Sequence, residues 1–364
     1  MDTQREMTSG RMASVAVDDR PATATPAARE VTTTTATARE TTMKAIVQDR
    51  YGSSMVLELR DIGKPAIGAD QVLVRVRAAA VNPGDWAIMS GLPYIARPVY
   101  GLRKPKNAVR GTDVAGGVEA VGTSVTRFQP GDAVFGWCQR LGGAFAEYAS
   151  ISEVALERKP ANLTFEQAAA VPTAGSVALE ALRDVRAGQK VLVNGASGGI
   201  GTFAVQIAKS LGAEVTGVCS TPNVELVRSI GADHVIDYTK EDFTKTGQHY
   251  DFILDNTANR SLSELRRALT PEGTLVPNGG GFDNHWFASG GRVMSAKLRS
   301  RFGSQTLRTF IMSQTREALV ALKDLIEAGK LTPVIGRTYP LRETPQAIDH
   351  VGGGHARGKV VITV

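Results

Sequence analysis

The stretch KVLVNGASGGIGTFAVQ, residues 190–206, decides the fold of this 364-residue chain. An apolar run at 191–193 leads into a turn with glycines at positions 195, 198, 199 and 201. Glycines let the backbone approach a pyrophosphate, and the unpaired N–H groups of a first helical turn attract anions. The stretch therefore predicts a strand, a phosphate-binding turn and a helix. A strand-to-helix turn that binds nothing would use the same glycines, so the flanking sequence has to decide.

Apolar residues after the turn recur at steps of three and four residues, which is typical of a helix. They are Ile200, Phe203, Ala204, Ile207, Ala208 and Leu211, and Gly212 then ends the helix. The β-rich runs that follow lie at 214–219, 235–237, 250–255 and 273–276. Because helix-like segments separate these runs, the sequence predicts an α/β fold with a doubly wound parallel sheet. Ligands of such a sheet bind beyond the carboxyl ends of the strands.

The end of the second strand of this unit indicates which dinucleotide binds. An acidic residue about 20 residues past the glycine turn usually holds the ribose hydroxyls of NAD. Here the sequence is CSTPN at 219–223, and no acid occurs before Glu225. A 2′-phosphate would meet the hydroxyls of Ser220 and Thr221 without repulsion, so NADPH is predicted rather than NADH. The alternative is that residues 220–223 only cap a helix.

The composition is that of a globular protein, with 42% hydrophobic and 21% charged residues. No apolar run is long enough to cross a bilayer, so no membrane partner is expected. The 42 basic residues exceed the 36 acidic ones, but they are spread along the chain without interleaved aromatic residues. We therefore expect no nucleic-acid partner, and we interpret the charge as solvated surface that also attracts phosphate groups.

The length predicts more than one domain. Residues 1–42 are rich in Ala, Thr and Arg and almost lack large apolar side chains, so they predict a disordered extension. Their composition superficially suggests an organelle transit peptide, and a start of translation at Met43 is a further interpretation. Residues 43–167 contain short β-rich runs between Pro and Gly turns, which predicts a small barrel or sandwich. Residues 168–305 carry the nucleotide unit, and residues 306–364 are expected to return to the first domain.

A set of short motifs runs in order from Met43 to Val364. It includes AAVNPGD at 79–85, GTDVAG at 111–116, GAFAEY at 143–148, VPTAG at 171–175, GAD at 231–233 and GKVV at 358–361. In this order and spacing the motifs, with the glycine turn, resemble the zinc-independent, zeta-crystallin-like NADPH:quinone oxidoreductases of the medium-chain dehydrogenase/reductase superfamily. The resemblance implies a GroES-like catalytic domain at 43–167, a Rossmann NADP-binding domain at 168–305, a C-terminal return at 306–364 and a homodimer.

A catalytic zinc site needs three Cys, His or carboxylate ligands. The two cysteines are Cys138 and Cys219, and all five histidines lie in the second half of the chain. Where zinc-using relatives carry Gly-His-Glu, this chain has Gly-Thr-Asp at 111–113. We therefore expect no metal. Two thiols give no disulfide framework and favour a cytoplasmic location.

Without a Lewis acid, direct carbonyl or alcohol redox is harder. Hydride addition to a quinone or an activated C=C bond needs only hydrogen bonds to the developing oxyanion. The sequence therefore predicts NADPH-dependent reduction of a quinone or an α,β-unsaturated carbonyl. The physiological substrate depends on loops whose paths the sequence does not fix.

The resemblance also implies which residues contact the cofactor. They are Asn82, Thr173 and Lys359 at the nicotinamide end, Ser197, Gly198, Gly199 and Ile200 at the pyrophosphate, Ser220 and Thr221 at the adenosine phosphate, and Tyr238 at the adenine. Gly279 follows a predicted strand and is expected to border the nicotinamide. Turn and cap chemistry is the alternative for Asn82 and Thr173, and half-buried packing is the alternative for Tyr238.

Two residues are candidates for catalysis. By the same resemblance, Asn82 is similar to the family's nicotinamide-side asparagine, and Tyr94 lies about one residue from the tyrosine that related enoyl reductases carry after the Asn-Pro motif. Tyr94 could protonate an enolate carbon or could simply line the pocket. A quinone product takes its protons from water.

Three other functions compete with the reductase interpretation. A short-chain reductase shares the glycine spacing, but it needs a Tyr-x-x-x-Lys pair after the turn, and the pair Tyr100 and Lys104 precedes it. A zinc-free, alcohol dehydrogenase-like reductase of another small carbonyl is a second alternative. A low-activity NADPH-binding regulatory protein is a third.

Overall fold

The computed structural model describes residues 41–138, 142–278, 304–310, 312, 314–354 and 356–364. The predicted extension up to residue 40 and the predicted cofactor residue Gly279 lie outside these ranges. Thr42, which was predicted to end the extension, is the first residue of a strand because it pairs with Gly63.

The strands are β1 Thr42–Gln48, β2 Leu57–Gly63, β3 Gln71–Val81, β4 Asp113–Val121, β5 Ala133–Trp137, β6 Tyr148–Ser152, β7 Leu156–Arg158, β8 Lys190–Asn194, β9 Glu214–Cys219, β10 His234–Asp237, β11 Tyr250–Asp255, β12 Leu269–Pro277, β13 Thr306–Leu307, β14 Ile335–Pro340 and β15 Lys359–Thr363. The α-helices are α1 Pro83–Ser90, α2 Arg97–Tyr100, α3 Phe165–Ala169, α4 Pro172–Leu182, α5 Gly199–Ser210, α6 Val224–Ser229, α7 Leu262–Arg267, α8 Arg316–Glu327 and α9 Thr344–Gly352. Short 3₁₀ turns include Tyr94–Ala96 and Thr221–Asn223.

The nucleotide unit forms a six-stranded sheet of parallel strands in the order β10-β9-β8-β11-β12-β13. This order confirms the predicted doubly wound sheet. The strand order reverses at β8, where chain connections leave in opposite directions and open a crevice at the carboxyl edge. The three apolar residues of β8, Val191, Leu192 and Val193, are fully buried, as expected for a strand covered on both faces.

This layer extends past residue 305, the boundary predicted from the sequence. Strand β13 pairs with β12 through Thr306 and Thr274, so it belongs to the nucleotide sheet. Helix α8 contacts both α4 and β7, and its buried residues Leu319 and Leu322 share a core cluster with residues of both sheets. The strand that follows it, β14, joins the other sheet.

The second sheet has seven strands in the order β14-β15-β3-β4-β5-β7, with β6 also paired to β3. Its architecture is the predicted GroES-like one. The C-terminal strand β15 runs antiparallel to β3, with Val361 opposite Ala80. Alanines at 78, 79 and 80 are fully buried there, so small side chains let other layers approach this strand closely. The pairing brings residue 359 next to residue 82. In the part of the chain that the structure describes, no helix combines the length and apolarity that a membrane crossing requires.

Candidate functional site

The glycine turn joins β8 to α5 at the carboxyl edge of the nucleotide sheet. Gly195 has a φ of 81°, a left-handed conformation that side chains disfavour. A Cβ atom at Gly201 would lie only 2.1 Å from the Gly195 carbonyl oxygen, so no larger residue fits there without a shift of the backbone. Gly198 is the extended N-cap residue of α5. The turn therefore leaves the N-terminus of a 12-residue helix at the edge where an anionic ligand binds.

The turn also contacts the beginning of β15. The Gly358 amide donates a hydrogen bond to the Ser197 carbonyl oxygen at 2.8 Å. A Cβ atom at Gly199 would lie 3.2 Å from Lys359 Cδ, so the backbone of the turn rests on the lysine side chain. The predicted pyrophosphate residues and the predicted nicotinamide-end lysine are therefore neighbours.

Four buried or half-buried residues form a hydrogen-bonded cluster that we call the Asp113 network: Asn82, Asp113, Thr173 and Lys359. Lys359 Nζ donates to Asn82 Oδ1 at 2.5 Å, and Asn82 Nδ2 donates to Asp113 Oδ2 at 3.0 Å. The Thr173 hydroxyl donates to Asp113 Oδ1, and the Thr173 amide donates to Asp113 Oδ2 at 3.2 Å. Lys359 Nζ lies 3.7 Å from Asp113 Oδ2, so the network contains an ion pair.

Each member of the Asp113 network comes from a different element. Asn82 follows β3 and is the N-cap residue of α1, Asp113 begins β4, Thr173 lies in the first turn of α4, and Lys359 begins β15. The structure thus brings together Asn82, Thr173 and Lys359, which the resemblance had assigned to the nicotinamide end. The structure also shows that Asp113 accepts hydrogen bonds from Asn82 and from Thr173 and so connects these two residues.

Burial controls the protonation of the ion pair. Asp113 is 0% exposed and Lys359 is 3% exposed. Desolvation raises the pKa of Asp113, and the Lys359 charge together with the hydrogen bonds from Thr173 and Asn82 opposes that rise. Desolvation lowers the pKa of Lys359, and the negative charge of Asp113 opposes this lowering. Each charge is therefore held in place mainly by the other.

A second carboxyl group, that of Asp85, fixes the backbone at Asn82. Asp85 Oδ2 accepts the Asn82 amide at 2.8 Å and Oδ1 accepts the Thr112 hydroxyl at 3.3 Å. The first bond is half of a capping box at the start of α1, which spans Asn82 to Asp85. Burial is the main cause that raises the pKa of Asp85 to about 7, and the charge of Asp113 adds to the rise. Asn82 is thus held through its amide nitrogen, its side-chain oxygen and its side-chain nitrogen.

Asp113 and Asp85 were missing from the predicted site residues. Both stand in motifs quoted for the resemblance, GTDVAG and AAVNPGD, but only as marks of the family. The spacing of Asn82 and Asp85 is that of a capping box, which would have identified the local hydrogen bond. No local pattern indicates that Asp113 meets Thr173, because 60 residues separate them.

The predicted adenosine-side residues lie together beyond β9. The Tyr238 amide donates to the Cys219 carbonyl oxygen at 3.0 Å, and the Tyr238 side chain is 45% exposed. Ser220 Oγ accepts from Asn223 Nδ2 at 3.1 Å. Thr221 Oγ1 donates to Asp237 Oδ2 at 2.6 Å. The acidic residue that is absent from residues 219–224, at the carboxyl end of β9, is therefore supplied by the neighbouring strand β10.

Tyr94 lies in the segment that follows α1. It begins the 3₁₀ turn Tyr94–Ala96 and is 37% exposed. The Arg97 guanidinium lies 4.6 Å from the Tyr94 ring centroid and 4.8 Å from the Tyr51 ring centroid. Arg97 also donates to the Gly91 carbonyl oxygen at 3.0 Å, which anchors this segment to the end of α1.

Within the described ranges, no group of three or more His, Cys, Asp or Glu residues is arranged to hold a metal ion. Both cysteines are buried free thiols, and desolvation raises the pKa of each. Each carboxylate oxygen of Asp113 accepts at least one hydrogen bond from Asn82 or Thr173.

Comparisons with known proteins give two family matches. Residues 68–161 match the alcohol dehydrogenase GroES-like domain, and residues 230–362 match a zinc-binding dehydrogenase family. The chain is 36% identical to the mitochondrial NAD(P)H oxidoreductase RTN4IP1 of Mus musculus, over 93% of each protein. It is 32% identical to a chloroplastic NADPH-dependent alkenal/one oxidoreductase of Arabidopsis thaliana, over 88% of this chain and 79% of that protein. The quinone oxidoreductase from Coxiella burnetii superposes with a TM-score of 0.78 at 30% identity, over 89% of this chain and 99% of that chain.

Proposed function

The chain belongs to the quinone oxidoreductase group of the medium-chain dehydrogenase/reductase superfamily, and on that premise we propose that it reduces a quinone or an α,β-unsaturated carbonyl with NADPH. The relatives whose names include quinone and alkenal/one oxidoreductases support this substrate class. The observation that carries the proposal is the Asp113 network beside the glycine turn. It combines a buried charge pair with a fixed amide at the place where a dinucleotide's reactive end is expected.

The chain's residues fit a dinucleotide along the carboxyl edge of the nucleotide sheet. Ser197, Gly198, Gly199 and Ile200 would hold the pyrophosphate at the N-terminus of α5. Asn82, Thr173 and Lys359 would hold the nicotinamide end, and Ser220, Thr221 and Tyr238 the adenosine end. A bound reduced nicotinamide would supply the hydride.

The Asp113 network orients Asn82 for the reaction. Because Lys359 donates to Asn82 Oδ1, the amide oxygen points at the lysine, and the amide nitrogen points at Asp113. One N–H of that amide donates to Asp113, and we propose that the second N–H donates to the bound ligand. A donor that is fixed before the reaction stabilises an oxyanion without reorganisation, so the proposed reaction needs no zinc.

Tyr94 is the proposed proton donor for enone substrates. Addition of a hydride to an enone leaves an enolate whose carbon must be protonated, and a nearby phenol can do this. A reduced quinone takes its protons from water, so Tyr94 has no comparable role there. The Arg97 guanidinium packs over the Tyr94 ring, and this contact supports a defined position for the ring.

The remaining proposals concern the assembly and location of the protein. We propose a homodimer, and size-exclusion chromatography with light scattering tests it. A cytoplasmic location is supported by the two buried free thiols, although relatives named mitochondrial and chloroplastic exist. Cell fractionation tests that location. Nucleic acid is not a proposed partner, and a mobility-shift assay tests this.

The decisive experiment measures coenzyme binding and turnover separately. Purified protein is titrated with NADPH in a calorimeter and then assayed for NADPH oxidation with a panel of small quinones and enones, with and without a zinc chelator. We expect binding, and turnover that the chelator does not change. Lys359→Met should abolish most of the turnover, whereas Lys330→Met, which changes an exposed lysine in the turn after α8, should not. Activity on alcohols alone that depends on added zinc would contradict the proposal.

A further inference from the structure

A carboxylate stands at the adenosine end of the proposed coenzyme site. Asp237 ends β10, in register with Cys219 at the end of the parallel strand β9. Parallel strands end at one edge of the sheet, so Asp237 reaches the residues that follow β9. Its Oδ2 atom accepts the Thr221 hydroxyl at 2.6 Å. This acid occupies a place similar to that of the β9-end acid that usually contacts the ribose of NAD, although it comes from the next strand.

The surrounding hydrogen bonds keep Asp237 ionised. Asp237 Oδ1 accepts the Thr239 hydroxyl at 2.7 Å and the Thr239 amide at 3.1 Å, which forms a turn around the carboxylate. These bonds and the one from Thr221, which has the largest effect, lower the pKa of Asp237 to about 2. Lys240 Nζ lies 3.4 Å from Oδ2, but the lysine side chain is 70% exposed, so solvent screens its charge.

This arrangement changes what Thr221 can offer a ligand. A threonine hydroxyl has one proton, and Thr221 directs that proton to Asp237. Its oxygen, which lies 3.0 Å from the Thr239 hydroxyl, is then left as an acceptor. A 2′-phosphate also only accepts at neutral pH, and it would be repelled by the carboxylate. A ribose 2′-hydroxyl, by contrast, can donate to Asp237 or to Thr221.

We infer that Asp237 is a specificity-determining residue that limits the preference for NADPH, so that the chain uses both NADPH and NADH. The inference rests on the proposed function, because it concerns the same coenzyme site. Ser220 retains a hydroxyl proton for a phosphate, since its oxygen accepts from Asn223. The balance between Ser220 and Asp237 gives a small preference in place of a strict one.

The chain contains a matched control for this carboxylate. The sequence DYTK at 237–240 is followed by DFTK at 242–245. Asp242 Oδ1 accepts the Thr244 amide at 3.0 Å and the Thr244 hydroxyl at 2.8 Å, and Lys245 Nζ lies 3.6 Å from Oδ2. Asp242→Asn therefore changes the same kind of turn at a site that has no contact with Thr221 in the described hydrogen bonds.

The test compares dissociation constants and kcat/KM for both coenzymes in the wild type, Asp237→Asn and Asp242→Asn. We expect a wild-type preference for NADPH of less than about tenfold. Asp237→Asn should raise the ratio of kcat/KM for NADPH to kcat/KM for NADH by about tenfold. This is the change expected when a carboxylate a few ångströms from a phosphate loses its charge. Added salt should shrink the difference between Asp237→Asn and the wild type. Asp242→Asn should keep the wild-type ratio. An unchanged ratio in Asp237→Asn overturns the inference while leaving the proposed function intact.

A second variant keeps the test valid if Asp237→Asn does not fold. Asp237→Ser also removes the charge and keeps a hydroxyl near Thr221, so it should raise the preference for NADPH over NADH by a factor similar to that of Asp237→Asn. A preference that stays at the wild-type value in Asp237→Ser would overturn the inference. If neither coenzyme binds the wild-type protein, the proposed function fails, and this inference fails with it.

Discussion

Replacement of Asp113 by Asn separates a structural role of the Asp113 network from a positioning role. The carboxylate is fully buried and lies 3.7 Å from the ammonium of Lys359, which is also buried. Asparagine keeps the shape and one acceptor oxygen but removes the charge. Lys359 is then a buried charge without its nearest counter-charge.

The expected cost in stability follows from that burial. Removal of one partner of a buried ion pair costs about 3–5 kcal/mol in free energy of unfolding. Burial already lowers the pKa of Lys359, and loss of the Asp113 charge removes the main interaction that opposes this lowering. A double variant, Asp113→Asn with Lys359→Met, buries no charge at this place. Because a buried pair replaced by uncharged groups is often neutral for stability, the double variant should regain most of the loss.

The kcat values of the two variants should not follow their free energies of unfolding. In both variants Asn82 and Thr173 lose the anionic acceptor that orients them, and in the double variant Asn82 Oδ1 also loses its donor. We expect kcat to fall about 100-fold in each, as for a misplaced group at a reacting centre. Urea unfolding gives the stabilities, and steady-state oxidation of NADPH with a quinone gives kcat and KM. Asp324→Asn, at an exposed position of α8, is the matched control. A double variant that recovers both stability and kcat would refute the positioning role.

Three further changes test other parts of the site. Burial raises the pKa of Asp85 from 3.8 to about 7, so between these pH values the folded state keeps a proton that the unfolded state has released. The free energy of unfolding is therefore highest below about pH 4 and falls as the pH rises to about 7. Asp85→Asn should flatten that decline in urea titrations, and an identical slope would count against it. Gly201→Ala sets a methyl group 2.1 Å from the Gly195 carbonyl oxygen, so calorimetry should show at least about tenfold weaker NADPH binding; wild-type affinity would disprove the close approach. Tyr94→Phe should slow enone reduction more than quinone reduction, and equal rates would remove the proton-donor role.

Local patterns were sufficient to predict the nucleotide layer. The apolar run before Gly195 and the spacing of Phe203, Ala204 and Ile207 report directly on burial, because each pattern repeats within one element. The alternation of strands and helices then restricts the sheet to a parallel, doubly wound one. The end of this layer was harder to predict. The two-residue strand β13 carries no sign of which sheet it joins, and only its pairing with β12 assigns it to the nucleotide sheet. Helix α8 packs against residues of both sheets, which its sequence does not indicate either.

The polar contacts of the site are nonlocal, and this is why the sequence revealed them only in part. Asp113 meets Thr173 across 60 residues, and Lys359 meets Asn82 across 277. The resemblance supplied three of these four residues because their motifs are distinctive, but it gave no reason for the fourth. Asp237 shows the same limit. The usual sequence pattern of NAD sites has an acid in the segment that follows β9, whereas the register of β10 with β9 places Asp237 from the next strand close to that segment.

The energetics of the Asp113 network favour a role in function over a role in folding. A buried Lys–Asp pair roughly balances its attraction against the loss of hydration of both charges, so it adds little to stability that apolar residues could not supply. Its geometry is more specific than stability requires, because it directs one asparagine amide through both of its polar atoms. A rigid donor in a region shielded from water is what charge development in a hydride transfer needs. The cost of burying the pair is therefore better explained by orientation of Asn82 at the proposed coenzyme site than by the packing of the four elements that meet there.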